Sequence, residues 1–134
     1  MVFDGGVEAL AEVFLNESDA LAHEITGRYV ELDGYTVSFE AFHTDTDPAP
    51  LFRGLPDDRC QSEHWGVVLS GRMDVRYGDR EETFTEGDAY YISPGHVPHP
   101  HAGTEVVEFS PTQALQATMA VVGANMEQHA EVGS

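Results

Sequence analysis

The stretch Cys60–His101, CQSEHWGVVLSGRMDVRYGDREETFTEGDAYYISPGHVPHPH, decides how this sequence folds and where its chemistry lies. It holds the only cysteine, the only tryptophan and four of the seven histidines. The apolar run Val67-Val68-Leu69 ends in Ser70-Gly71, and Ala89-Tyr90-Tyr91-Ile92 ends in Ser93-Pro94-Gly95. Each is a strand-sized burst closed by turn residues. Cys60 and His64 precede the first burst, and His96, His99 and His101 follow the second. The pattern predicts two strands that end near one another with metal-capable side chains at their edges, which is how a barrel builds a pocket.

Further strand-sized segments surround this pair: Met73–Tyr77, Glu82–Thr85 and Val106–Phe109, separated by Gly78-Asp79, Gly87-Asp88 and other turns. Short strands at such regular spacing predict an all-β sandwich or barrel. Upstream, Tyr29–Leu32 and Tyr35–Phe42 flank Asp33-Gly34, a hairpin dipeptide. In the second arm Tyr35, Val37, Phe39, Ala41 and His43 share one face, and Glu40 and Phe42 the other, the alternation of a half-buried strand. His43 reads as a rim histidine. Residues 44–59, rich in Pro, Asp and Gly, read as a loop of the length that forms binding loops or lids.

Helices are expected at both ends. Val7, Leu10 and Phe14 predict a short amphipathic helix within residues 1–22. Ser110 as cap, Pro111 in the first turn and Gln113 open a second helix over 111–130. Its apolar stripe of Leu115, Met119, Val122 and Met126 predicts packing against the barrel or a second subunit.

A chain of 134 residues suits one domain, 1–134, able to bury a core without disulfides. The lone Cys60 suits a reducing compartment, and no signal segment or membrane-length apolar run is present, so a cytoplasmic protein is expected. There are 24 acidic residues against six arginines and no lysine, giving a formal charge of −18. An anionic surface disfavours nucleic acid as a partner. Its composition is that of a protein from a salt-rich cytoplasm, where self-repulsion is screened, and it says nothing about activity. No nucleotide-binding glycine loop precedes a helix, and no Gly-x-Ser-x-Gly elbow appears.

Residues 25–110 resemble a small single-domain cupin, a jelly-roll β-barrel that usually holds one metal ion. That family carries the motifs G-x5-H-x-H-x3/4-E-x6-G and G-x5-P-x-G-x2-H-x3-N. With the first anchored on Gly71, His64 stands at the glutamate ligand, Cys60 at the second histidine and Asp58 at the first. With the second anchored on Gly87, Ser93 takes the proline place, Gly95 the glycine place and Pro98 the histidine place, flanked by His96 and His99. Cys-x3-His-Trp-Gly followed by Pro-Gly-His is similar to a subgroup of small bacterial cupins that mostly lack an assigned activity. The resemblance implies a cupin-type barrel with terminal helices, pairing as a homodimer, and a small-molecule ligand or substrate.

Imidazole and thiolate are ligands for zinc, iron, copper and nickel, so the site is expected to be rebuilt around one divalent transition metal ion. His64 and His96 would be its core, with His99 or Cys60 adding a third bond. Each has a plainer alternative: His64 as a hydrogen-bonded core residue, His99 and His101 as loop histidines, Cys60 as an inert buried thiol. Trp65 reads as barrel core, and Phe39, Tyr90 or Tyr91 as lining of the open side. Two functions follow. One is a metal-dependent enzyme of oxygenase, isomerase or lyase type. The other is a non-catalytic module that binds or senses a small ligand without metal.

Overall fold

Asp33 and Gly34 both take positive φ (55° and 83°), the turn conformation that joins β1 (Ile25–Leu32) to β2 (Tyr35–Phe42) as an antiparallel hairpin. This computed structural model describes residues 25–133, Thr46 excepted, with side chains through Glu127. The helix expected within residues 1–22 lies outside them. The hairpin continues into a sheet of order β1-β2-β8-β3-β6, with β3 at His64–Ser70, β6 at Ala89–Ile92 and β8 at Thr104–Pro111. A second sheet has the order β5-β4-β7, with β4 at Arg72–Arg76, β5 at Glu81–Thr85 and β7 at Val97–Pro100. Helix α1 (Thr112–Gly133) follows β8 directly.

The fold is therefore all-β with one C-terminal helix, a two-sheet jelly roll rather than a barrel closed by hydrogen bonds. Side chains join the sheets: Val68, Tyr90, Ile92 and Val106 from the first pack with Met73 and Val75 from the second. All of these are nearly solvent-free, and burying each such side chain contributes roughly 1.5–3 kcal/mol.

Pro98 and Pro100 lie in β7, an edge strand, where a missing N–H leaves no ladder bond unmade. Two sequence expectations need correction. Ser110 does not cap the helix but lies inside β8, opposite Thr36. The helix starts at Thr112, whose N–H reaches the Gly34 carbonyl at 2.9 Å. Trp65 is not core. The alternation along β3 turns His64, Gly66 and Val68 inward and Trp65 outward, in an outer row with Tyr35 and Tyr91.

The 44–59 loop carries two short 3-10 turns, Ala49–Phe52 and Pro56–Asp58. Asn125 of α1 anchors it, donating to the carbonyls of Leu51 (2.7 Å) and Arg53 (2.9 Å). Phe52 and Val122 bury against Cys60, with Met119 and Met126 beside them, so the expected helical stripe packs on this loop and on the site.

Candidate functional site

Beyond the β3–β6 and β4–β7 ladders, an isolated antiparallel bridge joins Cys60 to His96. Cys60 N–H donates to the His96 carbonyl at 2.8 Å, and Gly95 N–H returns to the Cys60 carbonyl at 2.8 Å. Gly95, at φ 92°, supplies the turn that swings His96 back toward Cys60. His64 opens β3 on its inward face. Sγ of Cys60 and a ring nitrogen of each histidine lie within 4.8 Å of one another, and all three residues are buried. Cys60 Sγ is 3.6 Å from His64 Nε2, and the imidazole rings meet edge to face with centroids 5.1 Å apart.

The outer nitrogens fix the tautomers. His96 Nδ1 lies 2.7 Å from the Ser93 carbonyl, which can only accept, so Nδ1 carries the proton. His96 Nε2 is then a bare lone pair. It is fully buried and has no hydrogen-bond partner among the described residues. His64 Nδ1 lies 2.7 Å from Ser110 Oγ and 3.3 Å from Glu108 Oε2, an arrangement that turns its Nε2 lone pair toward Cys60. Burial lowers both imidazoles to about 4, with His64 further lowering His96, so both are neutral near pH 7. Burial pushes the Cys60 thiol up. Its sulfur also has Thr118 Oγ1 at 3.8 Å and the Ser62 carbonyl at 3.9 Å.

His99 stands elsewhere. His96, just before β7, and Pro98 and Pro100 within it line a cavity, and His99 has the opposite parity. It groups with Asp45 and His101 instead. His99 Nε2 and His101 Nδ1 meet the two oxygens of Asp45 at 3.0 and 3.1 Å, and their rings stack 4.8 Å apart. His101 Nε2 also meets Asp74 at 2.6 Å, while Arg72 and Arg76 flank the pair. Asp58 is exposed and accepts the Gly54 N–H, and His43 is exposed with Nε2 2.7 Å from Thr26 Oγ1. Neither joins the Cys60 group.

The cavity measures about 550 Å³ and reaches from His64, His96 and Cys60 to α1, a size ordinary for small-ligand sites. Phe42, Phe52, Leu115, Met119 and Met126 supply much of its apolar wall. Phe39, Tyr90 and Tyr91 do not line it, contrary to the sequence reading. Tyr90 is buried, Tyr91 faces outward, and the inward parity of β2 belongs to Ser38, Glu40 and Phe42.

Sequence reasoning missed Glu40, Glu108 and Ser110. Tyr29 donates to Glu40 Oε2 at 3.0 Å, and Tyr90 donates to Glu108 Oε1 at 2.8 Å. Burial raises both carboxyls to about 7, and the Glu108 charge adds to the rise at Glu40. Gly66 makes room for this: a Cβ there would stand 2.5 Å from the Tyr90 hydroxyl and 2.4 Å from the Val107 carbonyl. The alternation that placed Glu40 on its own face was correct, but that face is a polar cavity wall instead of solvent.

A family model, the cupin domain, matches residues 56–110, the span that carries Cys60, His64 and His96. Over that span the chain is similar to a cupin domain. A search of curated proteins found no match. Among solved structures it is similar to a protein of Neisseria meningitidis, with 14% identity over 64% of this chain and 82% of that one, and a TM-score of 0.47. An RmlC-like cupin from Shewanella frigidimarina shares 13% identity over 66% and 78%, TM-score 0.46. A conserved protein of unknown function from Streptococcus pyogenes shares 10% over 66% and 75%, TM-score 0.49. No described helix is long and apolar enough to cross a membrane.

Proposed function

We propose that this chain is a metal-binding cupin in which Cys60, His64 and His96 hold one divalent transition metal ion, and that it acts on a small organic molecule in the adjoining cavity. One observation carries the reading: His96 Nε2 is a buried lone pair with no hydrogen-bond partner among the described residues, beside two further candidate ligand atoms. Leaving such an acceptor unsatisfied costs about 1–3 kcal/mol, which a bound ion would offset.

The donor set fits the group. Two neutral imidazoles need no deprotonation, and Cys60 would lose its proton to the ion. One sulfur and two nitrogens suit zinc or copper ahead of iron or nickel. Such an ion would supply a Lewis acid at the cavity floor. The protein's own part is to hold the ligands. The Ser93 carbonyl fixes the His96 ring, and Ser110 with Glu108 fixes His64, the carboxylate–imidazole support common behind metal ligands. The apolar wall excludes water around the bound molecule.

The rival reading, a metal-free binding module, is favoured by the contacts that Cys60 Sγ already makes with His64 Nε2 and Thr118. Elemental analysis of untagged protein purified without chelators separates the two. We expect close to one equivalent of metal per chain, lost in His64→Ala and His96→Ala. No metal, and no rise in melting temperature on adding any, would sink the metal reading and leave the binding module.

A further inference from the structure

The cavity has a second polar feature, apart from the sulfur–imidazole group. Ser38 pairs with Glu108 and Glu40 with Val106 across β2 and β8, so Glu40 and Glu108 are diagonal neighbours on one sheet face. Side chains so related stand about 7–8 Å apart at their bases. Both line the cavity. Their contacts are the hydroxyls of Tyr29 and Tyr90 and the His64 ring. No arginine lines this cavity among the described residues, and the chain contains no lysine. Arg28, on the adjacent strand, pairs with Phe39 and shares its parity, away from the cavity. Two buried carboxyl groups thus line a cavity whose wall also carries Asp47, Gln116 and Thr118, with no arginine or lysine side chain in the lining among the described residues. Buried charge of this kind is costly unless paired. His96 Nε2, in the same wall and without a hydrogen-bond partner among the described residues, is a second sign that the cavity is built for an occupant.

We infer that the Glu40–Glu108 pair receives the ammonium group of a small amphipathic amine whose apolar body lies along Phe42, Phe52, Leu115 and Met119. The overall charge of −18 acts in the same direction, drawing cations and turning carboxylates away. The inference rests on the reading of this cavity as the ligand site. It does not require a metal to be present.

The test is calorimetric titration of the full chain with hexylamine, 1-hexanol and hexanoate, which share one apolar body and differ in head group. It is run before and after chelator treatment. Saturable binding of hexylamine, at least tenfold tighter than hexanol, with no measurable binding of hexanoate, is expected. Glu40→Gln should retain hexanol binding and lose most of the preference. In wild-type protein, nuclear Overhauser contacts from the amine to the Met119 and Met126 methyls should locate it, so the result does not depend on the variant folding. Equal or tighter binding of hexanol or hexanoate would overturn the inference. So would an amine preference that does not saturate, or that persists in folded Glu40→Gln, since it would then belong to the acidic surface. An amine preference in chelated protein that never held metal would leave this inference standing and remove the metal reading.

Discussion

The hydroxyl of Ser110 lies 2.7 Å from Nδ1 of His64, both residues buried, so a strand residue just before the helix holds the orientation of the proposed ligand on the neighbouring strand. Glu108, two residues earlier on the same face of β8, adds a carboxylate oxygen at 3.3 Å.

This support has a measurable consequence. Ser110→Ala removes one hydroxyl and should leave the fold intact while weakening metal binding about 10–100-fold. Competition against a chromophoric chelator reads the change. An unchanged affinity would mean that Glu108 alone orients the ring.

The Asp45–His99–His101 group makes a prediction about pH. Hydrogen bonds donated to Asp74, then to Asp45, raise His101 above its ordinary 6.5. Asp74 is held below 3.8: partial burial opposes this, but the hydrogen bonds from His101 and Thr83 outweigh it. The raised histidine contributes stability that is complete below about pH 6.5 and lost as pH rises through its folded value. The lowered aspartate contributes stability that is complete above about pH 3.8 and lost as pH falls through its own. The pair therefore contributes most between those limits. Asp74→Asn should destabilise by about 0.5 kcal/mol at pH 5.5 and by less at pH 9, a modest figure because the group is near solvent. Chemical denaturation at the two pH values checks it, and a loss that grows toward pH 9 would contradict it.

Gly66 and Gly123 form a matched pair. Alanine at 66 would push its methyl into the Val107 carbonyl and the Tyr90 hydroxyl, so a destabilisation of about 1–3 kcal/mol is expected. Alanine at Gly123 of α1 meets nothing within 4 Å and should stabilise by up to about 1 kcal/mol. Thermal melts of the two variants decide it, and equal melting temperatures would contradict the packing described around Tyr90 and Glu108.

Much of the fold was legible in the sequence because its signals are local. Asp33-Gly34 gave the hairpin, the bursts at Val67 and Tyr90 gave β3 and β6, and the stripe from Leu115 to Met126 gave the helix. The site was legible in part. Spacing singled out Cys60, His64 and His96, and the fold brings them together. His99 is separated from them by the parity of an edge strand, which its prolines obscured. Glu40, Glu108 and Ser110 were invisible for a different reason. A polar residue alternating with apolar ones reads as solvent-facing, and only the three-dimensional arrangement shows that this face encloses a cavity. Ser110 was further disguised by Pro111, which together with it imitates a helix start.

The most direct test of the central claim is anomalous diffraction from crystals of zinc-loaded protein, collected on either side of the zinc absorption edge. The account predicts one dominant peak about 2.3 Å from Cys60 Sγ and about 2.0–2.1 Å from Nε2 of His64 and His96. A peak confined to Asp45, His99 and His101, or none beside Cys60 at full zinc loading, would contradict it.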